Sequence, residues 1–256
     1  MMVWADTDAG TVTVTVTDKT ALLADLGRRF EAREGFTVAT INLDHVVKLR
    51  RDRTFREAYA AHSHITADGN PIVWLSRLAG QGKVALVPGS EAIEPVARLA
   101  AEKGVPVAFF GATDASLEAA AEAMREKLPG IDIRLTLAPP MGFDPAGPVA
   151  DDAIAELRAS GARLVFLALG APKQEIFAIR AAQALPEAGF LSIGAGLDFM
   201  SGAQTRAPEW VRAIAAEWVW RMLSDPRRLA GRYMACIAAM PGLTLRALGA
   251  RRRTGT

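Results

Sequence analysis

The stretch LVFLALGAPKQE, residues 164–175, decides the fold. Its first six residues are all apolar, which is typical of a strand buried on both faces in a parallel α/β sheet. Gly170 permits the turn that follows, and Pro172 suits the first turn of a helix. Free backbone N–H groups at that helix start, beside Lys173 and Gln174, favour an anionic or amide-bearing ligand. An ordinary strand, turn and capped helix would show the same residues, so the junction alone defines no function.

Other apolar runs of strand type recur along the chain, with helical patterns between most of them. Such alternation indicates βαβ units and a mostly parallel sheet. We therefore predict an α/β fold, with a Rossmann-like core whose mostly parallel sheet is flanked by helices. The other strand candidates are residues 36–41, 84–87, 105–110, 131–137 and 190–193, and residues 11–17 alternate Thr and Val like an edge strand.

The pattern changes beyond residue 202, where helical and Arg-rich segments replace the strands. We predict a core over residues 1–205 and a C-terminal helical appendage over residues 206–256. One helix is expected from Pro208, and a second from Pro226 that Pro241 and Gly242 end.

The charge of the chain is divided unevenly between these two parts. Residues 206–256 contain ten arginines and three carboxylates, a net +7, so the overall +2 leaves −5 for residues 1–205. A basic appendage on an acidic body indicates an anionic surface, either phospholipid headgroups or nucleic acid. A solvated helical face is the alternative, and Trp210, Trp218 and Trp220 fit helix packing on the core.

Composition excludes several classes of protein. The single cysteine, Cys236, excludes an internal disulfide framework. The N-terminus lacks a signal-peptide pattern and no eighteen apolar residues run together, so we expect neither export nor a membrane span. Neither a phosphate-binding P-loop nor a G-x-S-x-G nucleophile elbow occurs. His62 and His64 favour packing or surface positions over a metal site.

Three segments beside predicted turns are candidates for one pocket. Asp68, in Ala67-Asp68-Gly69, has the chemistry of a general base, although Asp-Gly also favours a turn or a helix cap. Thr40 and Asn42 end an early strand and can bind a sugar or phosphate, although capping by Asn42 is the commoner role. Gly194 to Asp198 follow another strand, but Phe199 breaks the dinucleotide-binding pattern G-x-G-x-x-G.

Taken together, these motifs resemble the WecG/TagA/CpsF family of bacterial glycosyltransferases, from about residue 36 to residue 233. The resemblance rests on the order and spacing of motifs that are weak individually. They are Thr40-Ile41-Asn42 with Asp44-His45-Val46-Val47, Ala67-Asp68-Gly69, Gly89-Ser90, residues 170–175 (GAPKQE), residues 194–199 (GAGLDF), Arg206-Ala207-Pro208, residues 217–221 (EWVWR), residues 225–229 (DPRRL) and Arg232-Tyr233.

The resemblance implies inverting transfer of a hexose or N-acetylhexosamine from a UDP-sugar to a polyprenyl-pyrophosphate-linked saccharide at the cytoplasmic membrane face. It also implies a role in cell-surface polysaccharide biosynthesis. Asp68 becomes the catalytic base, with Thr40 and Asn42 near the sugar and its phosphates and Gln174 at the nucleotide-sugar pocket. The appendage arginines that then stabilise UDP are Arg221, Arg227, Arg228 and Arg232.

We expect no metal and no cofactor, because the chain's one Asp-x-Asp pair lies near its N-terminus, at residues 6–8. The expected partners are the UDP-sugar, the lipid-linked acceptor and the cytoplasmic membrane surface through the appendage. The resemblance also allows self-association with further copies of the chain. Nucleic acid is not expected, because no groove-reading motif is present.

Two other functions stay open at this stage. One is a nicotinamide-dependent oxidoreductase or UDP-sugar epimerase, against which the broken glycine pattern and the lack of a Tyr-x-x-x-Lys pair argue. The other is a non-catalytic lipid- or nucleotide-binding module, which would not need Asp68.

Overall fold

The computed structural model describes residues 1–8, 10–200, 208, 220, 222 and 226–254, without the side chains of residues 198, 199, 228, 253 and 254. The strands are β1 (Ala5–Thr7), β2 (Gly10–Val12), β3 (Phe36–Ile41), β4 (His64–Ala67), β5 (Val107–Gly111), β6 (Ile133–Leu137), β7 (Leu164–Ala168) and β8 (Gly189–Ser192). The described helices are α1 (Lys19–Ala32), α2 (Leu43–Leu49), α3 (Arg53–Ala60), α4 (Asn70–Leu78), α5 (Gly89–Glu102), α6 (Asp114–Lys127), α7 (Pro148–Ser160), α8 (Lys173–Ala184), α9 (Gly196–Met200) and α10 (Pro226–Thr254).

Six strands form one sheet in the order β4-β3-β8-β7-β5-β6, and every pairing in it is parallel. The short strands β1 and β2 pair antiparallel as a separate hairpin. The predicted α/β class with a parallel sheet is therefore confirmed.

Two predicted strands are largely wrong. Residues 84–87 contribute only an isolated bridge between Leu86 and Ala67. Of residues 11–17, only the first two belong to a strand, β2. The segment beyond it runs beside β4, but the Thr15 hydroxyl accepts the Ile65 N–H (2.8 Å). A side chain thus takes a hydrogen bond that a regular ladder would give to the backbone.

Helices cover both faces of the sheet, which explains why its strands read as continuous apolar runs. In β7, Leu164 and Phe166 belong to the apolar cluster that includes residues of α1, α5 and α6. Their neighbours Val165 and Leu167 point to the opposite face, where α7 and α8 pack. All six residues of β3 are buried. Side chains alternate between the two faces of the sheet, and both faces are buried. The sequence of these strands therefore shows no alternation of polar and apolar residues.

The helix α10 packs along α2 and α4 through one of its faces. Ala239, Leu243 and Ala247 are buried in the same cluster as Val46 of α2. Contrary to the prediction, Pro241 does not end this helix, which continues to Thr254. An interior proline costs roughly 3 kcal/mol. Burial of a leucine such as Leu243 contributes about 1.5–3 kcal/mol, and apolar contacts on both sides of the proline offset its cost.

Within the described residues, α10 also holds one segment with the length and composition of a membrane span. This segment is Leu229–Arg252; its most apolar 18-residue window has a mean hydropathy of 1.2, and 22% of that window is buried. Length and composition are weak evidence for spanning, and the inner face of the helix is occupied by the core.

Candidate functional site

The sequence-predicted site residues follow four strands that are consecutive neighbours in the sheet, β4, β3, β8 and β7. Because the sheet is parallel, the turns after these strands lie at one edge. That edge carries Asp68 after β4, Asn42 after β3, Gly194 after β8 and Gly170 after β7. Open α/β sheets bind their ligands at the carboxyl ends of their strands, so this edge is the candidate site.

Asp68 and Asn42 face each other across two neighbouring turns. The Asn42 Nδ2 donates to Asp68 Oδ2 at 3.4 Å, and the Asp68 N–H donates to the Ile41 carbonyl at 2.8 Å. Asp68 is half-buried and does not cap α4, whose N-cap is Gly69 at a φ of 105°. Asn42 does cap α2, because its Oδ1 accepts from the His45 N–H at 3.0 Å. Its amide thus serves the helix and the carboxylate together.

A buried polar cluster holds the end of β3 beneath this pair. The Thr40 carbonyl accepts from the Tyr59 hydroxyl at 2.9 Å and lies 2.9 Å from His45 Nδ1. Burial raises the pKa of Tyr59 well above its usual range, and the carboxylates of Glu175 and Asp68 add to this effect. Burial lowers the pKa of His45 to about 4. Both groups are therefore neutral near pH 7 and act as fixed hydrogen-bonding partners.

The start of α8 is tied to the turn after β8. The Gln174 side chain is only 2% exposed, and its Oε1 accepts from the Gly194 N–H at 3.1 Å. Its Nε2 donates to Glu175 Oε1 at 2.8 Å. The Gln174 backbone N–H donates to the Gly170 carbonyl at 3.1 Å, so this N–H at the start of α8 already has a partner within the protein. Lys173 is half-buried beside it.

Glu175 was not among the predicted site residues, and its surroundings are unusual for a carboxyl. It is fully buried, and burial raises its pKa to about 7. Within the described part of the chain, no partner is found for its Oε2. Its place in the motif GAPKQE was visible in the sequence, but nothing local signals that a glutamate is buried.

Lys48 and Asp44 of α2 link the turn between β7 and α8 to α10. The Lys48 Nζ donates to the Ala171 carbonyl at 3.3 Å and lies 3.0 Å from Asp44 Oδ2. On the other side, Asp44 Oδ1 lies 3.7 Å from Arg232 Nε. The spacing of Asp44 and Lys48, four residues apart on a helix, is a signal that sequence reasoning missed. Their contacts bring Arg232 to the candidate site.

The other predicted arginines are less well placed or lie outside the described part. Arg227 is exposed near the start of α10. Arg221 and the side chains of Arg228 and Asp198 lie outside the described residues.

Among the residues that the structure describes, no group of three or more His, Cys, Asp or Glu side chains could hold a metal ion. His62 and His64 are both buried, and His62 Nδ1 lies 2.8 Å from the Ala58 carbonyl. His64 Nε2 lies 2.7 Å from Asp25 Oδ2. Both histidines have structural contacts, as the packing interpretation expects.

The parallel sheet and its polar carboxyl edge define an α/β enzyme-like site, and comparison with known proteins gives the family. A family model described as glycosyl transferase WecG/TagA/CpsF family matches residues 7–254. The chain therefore belongs to the WecG/TagA/CpsF family of glycosyltransferases.

One similar protein is the N-acetylglucosaminyldiphosphoundecaprenol N-acetyl-beta-D-mannosaminyltransferase of Bacillus spizizenii, strain ATCC 23059 / NRRL B-14472 / W23. It is 26% identical over 200 residues, which cover 77% of this chain and 75% of the relative.

Proposed function

We propose that this chain is an inverting, metal-independent glycosyltransferase. It moves a hexose or N-acetylhexosamine from a UDP-sugar to a polyprenyl-pyrophosphate-linked saccharide in cell-surface polysaccharide biosynthesis. The observation that carries the proposal is the Asp68–Asn42 pair at the carboxyl edge of the sheet, beside the turns at Gly170 and Gly194. The name of the Bacillus relative describes a glycosyl transfer to a diphosphoundecaprenol-linked sugar, which supports this acceptor class.

Asp68 is the proposed general base. Its carboxylate takes the proton of the acceptor hydroxyl while that oxygen attacks the anomeric carbon opposite UDP. The new glycosidic bond forms as the bond to the β-phosphate oxygen breaks, and UDP leaves with the electron pair. The Asn42 amide donates to Asp68 Oδ2 at 3.4 Å and so helps to orient the carboxylate.

The departing UDP needs positive charge and N–H donors around its phosphates. Thr40, the turn at Gly170, Lys173 at the start of α8 and the turn from Gly194 to Asp198 are proposed to bind the donor. Arg232 approaches from α10 through its contact with Asp44. The other appendage arginines, Arg221, Arg227 and Arg228, are proposed to join it there.

The helix α10 is the proposed contact with the membrane surface. Its outer face carries exposed apolar side chains at helical spacing, and Leu245 is 71% exposed. Exposed arginines lie on the same helix, as expected for a helix in a headgroup layer. Because its inner face packs on α2 and α4, we place α10 on the cytoplasmic membrane face and not across the bilayer. The exposed apolar side chains are Met234, Ile237, Leu245 and Leu248, and the exposed arginines are Arg227, Arg246, Arg251 and Arg252.

The experiment is UDP release by the purified protein with a panel of UDP-sugars and short-chain polyprenyl-pyrophosphate saccharides. Asp68→Asn should lower kcat by about 10²- to 10⁴-fold, the usual contribution of a general base. Asp132→Asn, an exposed residue paired with Arg134 away from the site, is the matched control. Release of no UDP with any sugar would refute the proposal and favour the binding-module alternative, whereas full activity of Asp68→Asn would refute Asp68 as the general base.

A further inference from the structure

Two buried polar side chains at the start of α8 form a chain of hydrogen bonds to the turn after β8. Glu175 Oε1 accepts from Gln174 Nε2 at 2.8 Å, and Gln174 Oε1 accepts from the Gly194 N–H at 3.1 Å. Glu175 is fully buried and Gln174 is 2% exposed. Both ends of the Gln174 amide therefore already have partners within the protein. Its contacts are those of a bridge between two turns of the candidate site.

Glu175 decides which way the Gln174 amide points. The oxygen and nitrogen ends of a glutamine amide can exchange by rotation, and the hydrogen-bond partners select between them. Here Gly194 offers a donor and Glu175 offers an acceptor, so only one orientation satisfies both. Without the Glu175 acceptor, the Gln174 nitrogen would be buried without this partner, and the opposite orientation would set it against the Gly194 N–H.

The turn held by this bridge forms part of the candidate site. Gly194 has a φ of 57°, in the region that favours glycine. A Cβ at Gly196 would lie 2.3 Å from Ile93 Cδ1, so the turn is closely packed on α5. The start of α5 is in turn close to Thr40, because a Cβ at Gly89 would lie 3.4 Å from Thr40 Cγ2. A shift of the Gly194 turn would therefore reach the residues proposed to bind the donor.

We propose that Glu175 is a positioning residue: it orients the Gln174 amide, which fixes the Gly194 turn for binding of the UDP-sugar. Gln174 then acts through this turn and not by contact with the sugar. The inference rests on the proposed function, because it assigns the donor to this site.

Two substitutions of similar size separate the acceptor from the rest of the side chain. Glu175→Gln keeps an oxygen for Gln174 Nε2, whereas Glu175→Met removes it. With the UDP-sugar varied at saturating acceptor, Glu175→Met should raise the donor KM about tenfold, the effect of one lost buried hydrogen bond, with little change in kcat. Glu175→Gln should stay within about threefold of the wild-type KM, because the hydrogen bond is kept.

The matched control is Ile131→Ala, a buried residue before β6, which should lower stability without changing the donor KM. A donor KM that rises equally in this control would show a general loss of folding and would overturn the inference.

Amide hydrogen exchange at Gly194 tests the bridge without any turnover. Protection of the Gly194 N–H should fall about tenfold in Glu175→Met and persist in Glu175→Gln. Only Glu175→Gln keeps the acceptor that orients the Gln174 amide with its oxygen toward the Gly194 N–H. If Glu175→Met keeps wild-type protection, or loses it with an unchanged donor KM, the positioning role is refuted. If the wild type uses no UDP-sugar, the proposed function fails, while the exchange data still decide whether Glu175 holds the turn.

Discussion

The buried carboxyl of Glu175 predicts a loss of stability as the pH rises from about 4.5 to about 7. Burial raises its pKa to about 7 from an ordinary value of 4.5, against smaller lowering effects of the hydrogen bond from Gln174 and the charge of Lys48. Between these pH values the folded chain keeps a proton that the unfolded chain has lost. The free energy of unfolding therefore falls as the pH rises. At 1.36 kcal/mol for each pKa unit, the loss is about 3 kcal/mol.

His62 has the opposite effect over an overlapping range. Burial lowers its pKa to about 4 from 6.5, so the unfolded chain binds a proton below pH 6.5 that the folded chain does not. The free energy of unfolding therefore falls as the pH drops from about 6.5 to about 4. Burial also lowers the pKa of His45 to about 4, so His45 adds to the effect of His62. These contributions and that of Glu175 partly cancel in the wild type, and a variant is needed to separate them.

The assay is urea unfolding of the wild type and of Glu175→Gln, followed by circular dichroism at several pH values between 4.5 and 8. The Gln side chain does not titrate, so the difference between the two proteins isolates Glu175. The wild type should lose about 3 kcal/mol relative to Glu175→Gln over this range. Glu118→Gln, an exposed residue of α6, is the control. A difference that is constant with pH would refute the reasoning, because it would mean that Glu175 titrates alike in the folded and unfolded chains.

Three further predictions concern the site and the appendage. Asn42→Ala should lower the free energy of unfolding in urea by about 1 kcal/mol, because the cap of α2 is lost, and it should also lower kcat. Asn42→Ser should recover the stability but not kcat, because a serine restores the cap but not the amide that contacts Asp68. A double-mutant cycle of Asp44→Asn and Arg232→Ala should give a coupling below about 1 kcal/mol in urea unfolding, since the pair is wide and partly exposed; a larger value would contradict this. Leu245→Asp should lower the fraction of protein that sediments with anionic vesicles, while UDP release with a short-chain acceptor is unchanged. Val149→Asp, exposed on α7, should change neither vesicle binding nor UDP release. Equal binding of both variants would exclude the apolar face of α10 as the membrane contact.

Much of the fold follows from local patterns. The apolar runs at residues 36–41 and 164–169 predict β3 and β7, because strands covered on both faces lose all polar alternation. Residues 11–17 and 84–87 were misleading, since local composition favours a strand there but hydrogen bonding with β4 is incomplete. The end predicted at Pro241 was wrong because contacts distant in sequence hold the helix together.

The candidate site, like the fold, could be predicted from the sequence only in part. The sequence placed Asn42 after a strand, and hence at the carboxyl edge of any parallel sheet, but it placed Asp68 only in a turn, and β4 before that turn was not among the predicted strands. Only the order of the strands brings them together with Gly194, because β8 inserts between β3 and β7. The roles assigned to these residues stay predictions until Asp68→Asn is measured.

The sequence by itself determined the α/β class, the family resemblance and the turns that carry polar groups, because these depend on local periodicity and motif spacing. The tertiary structure decided that Glu175 is buried, that Gln174 bridges to Gly194 and that α10 lies on α2. Burial and pairing depend on segments far apart in the chain, and no local pattern reports which of them meet.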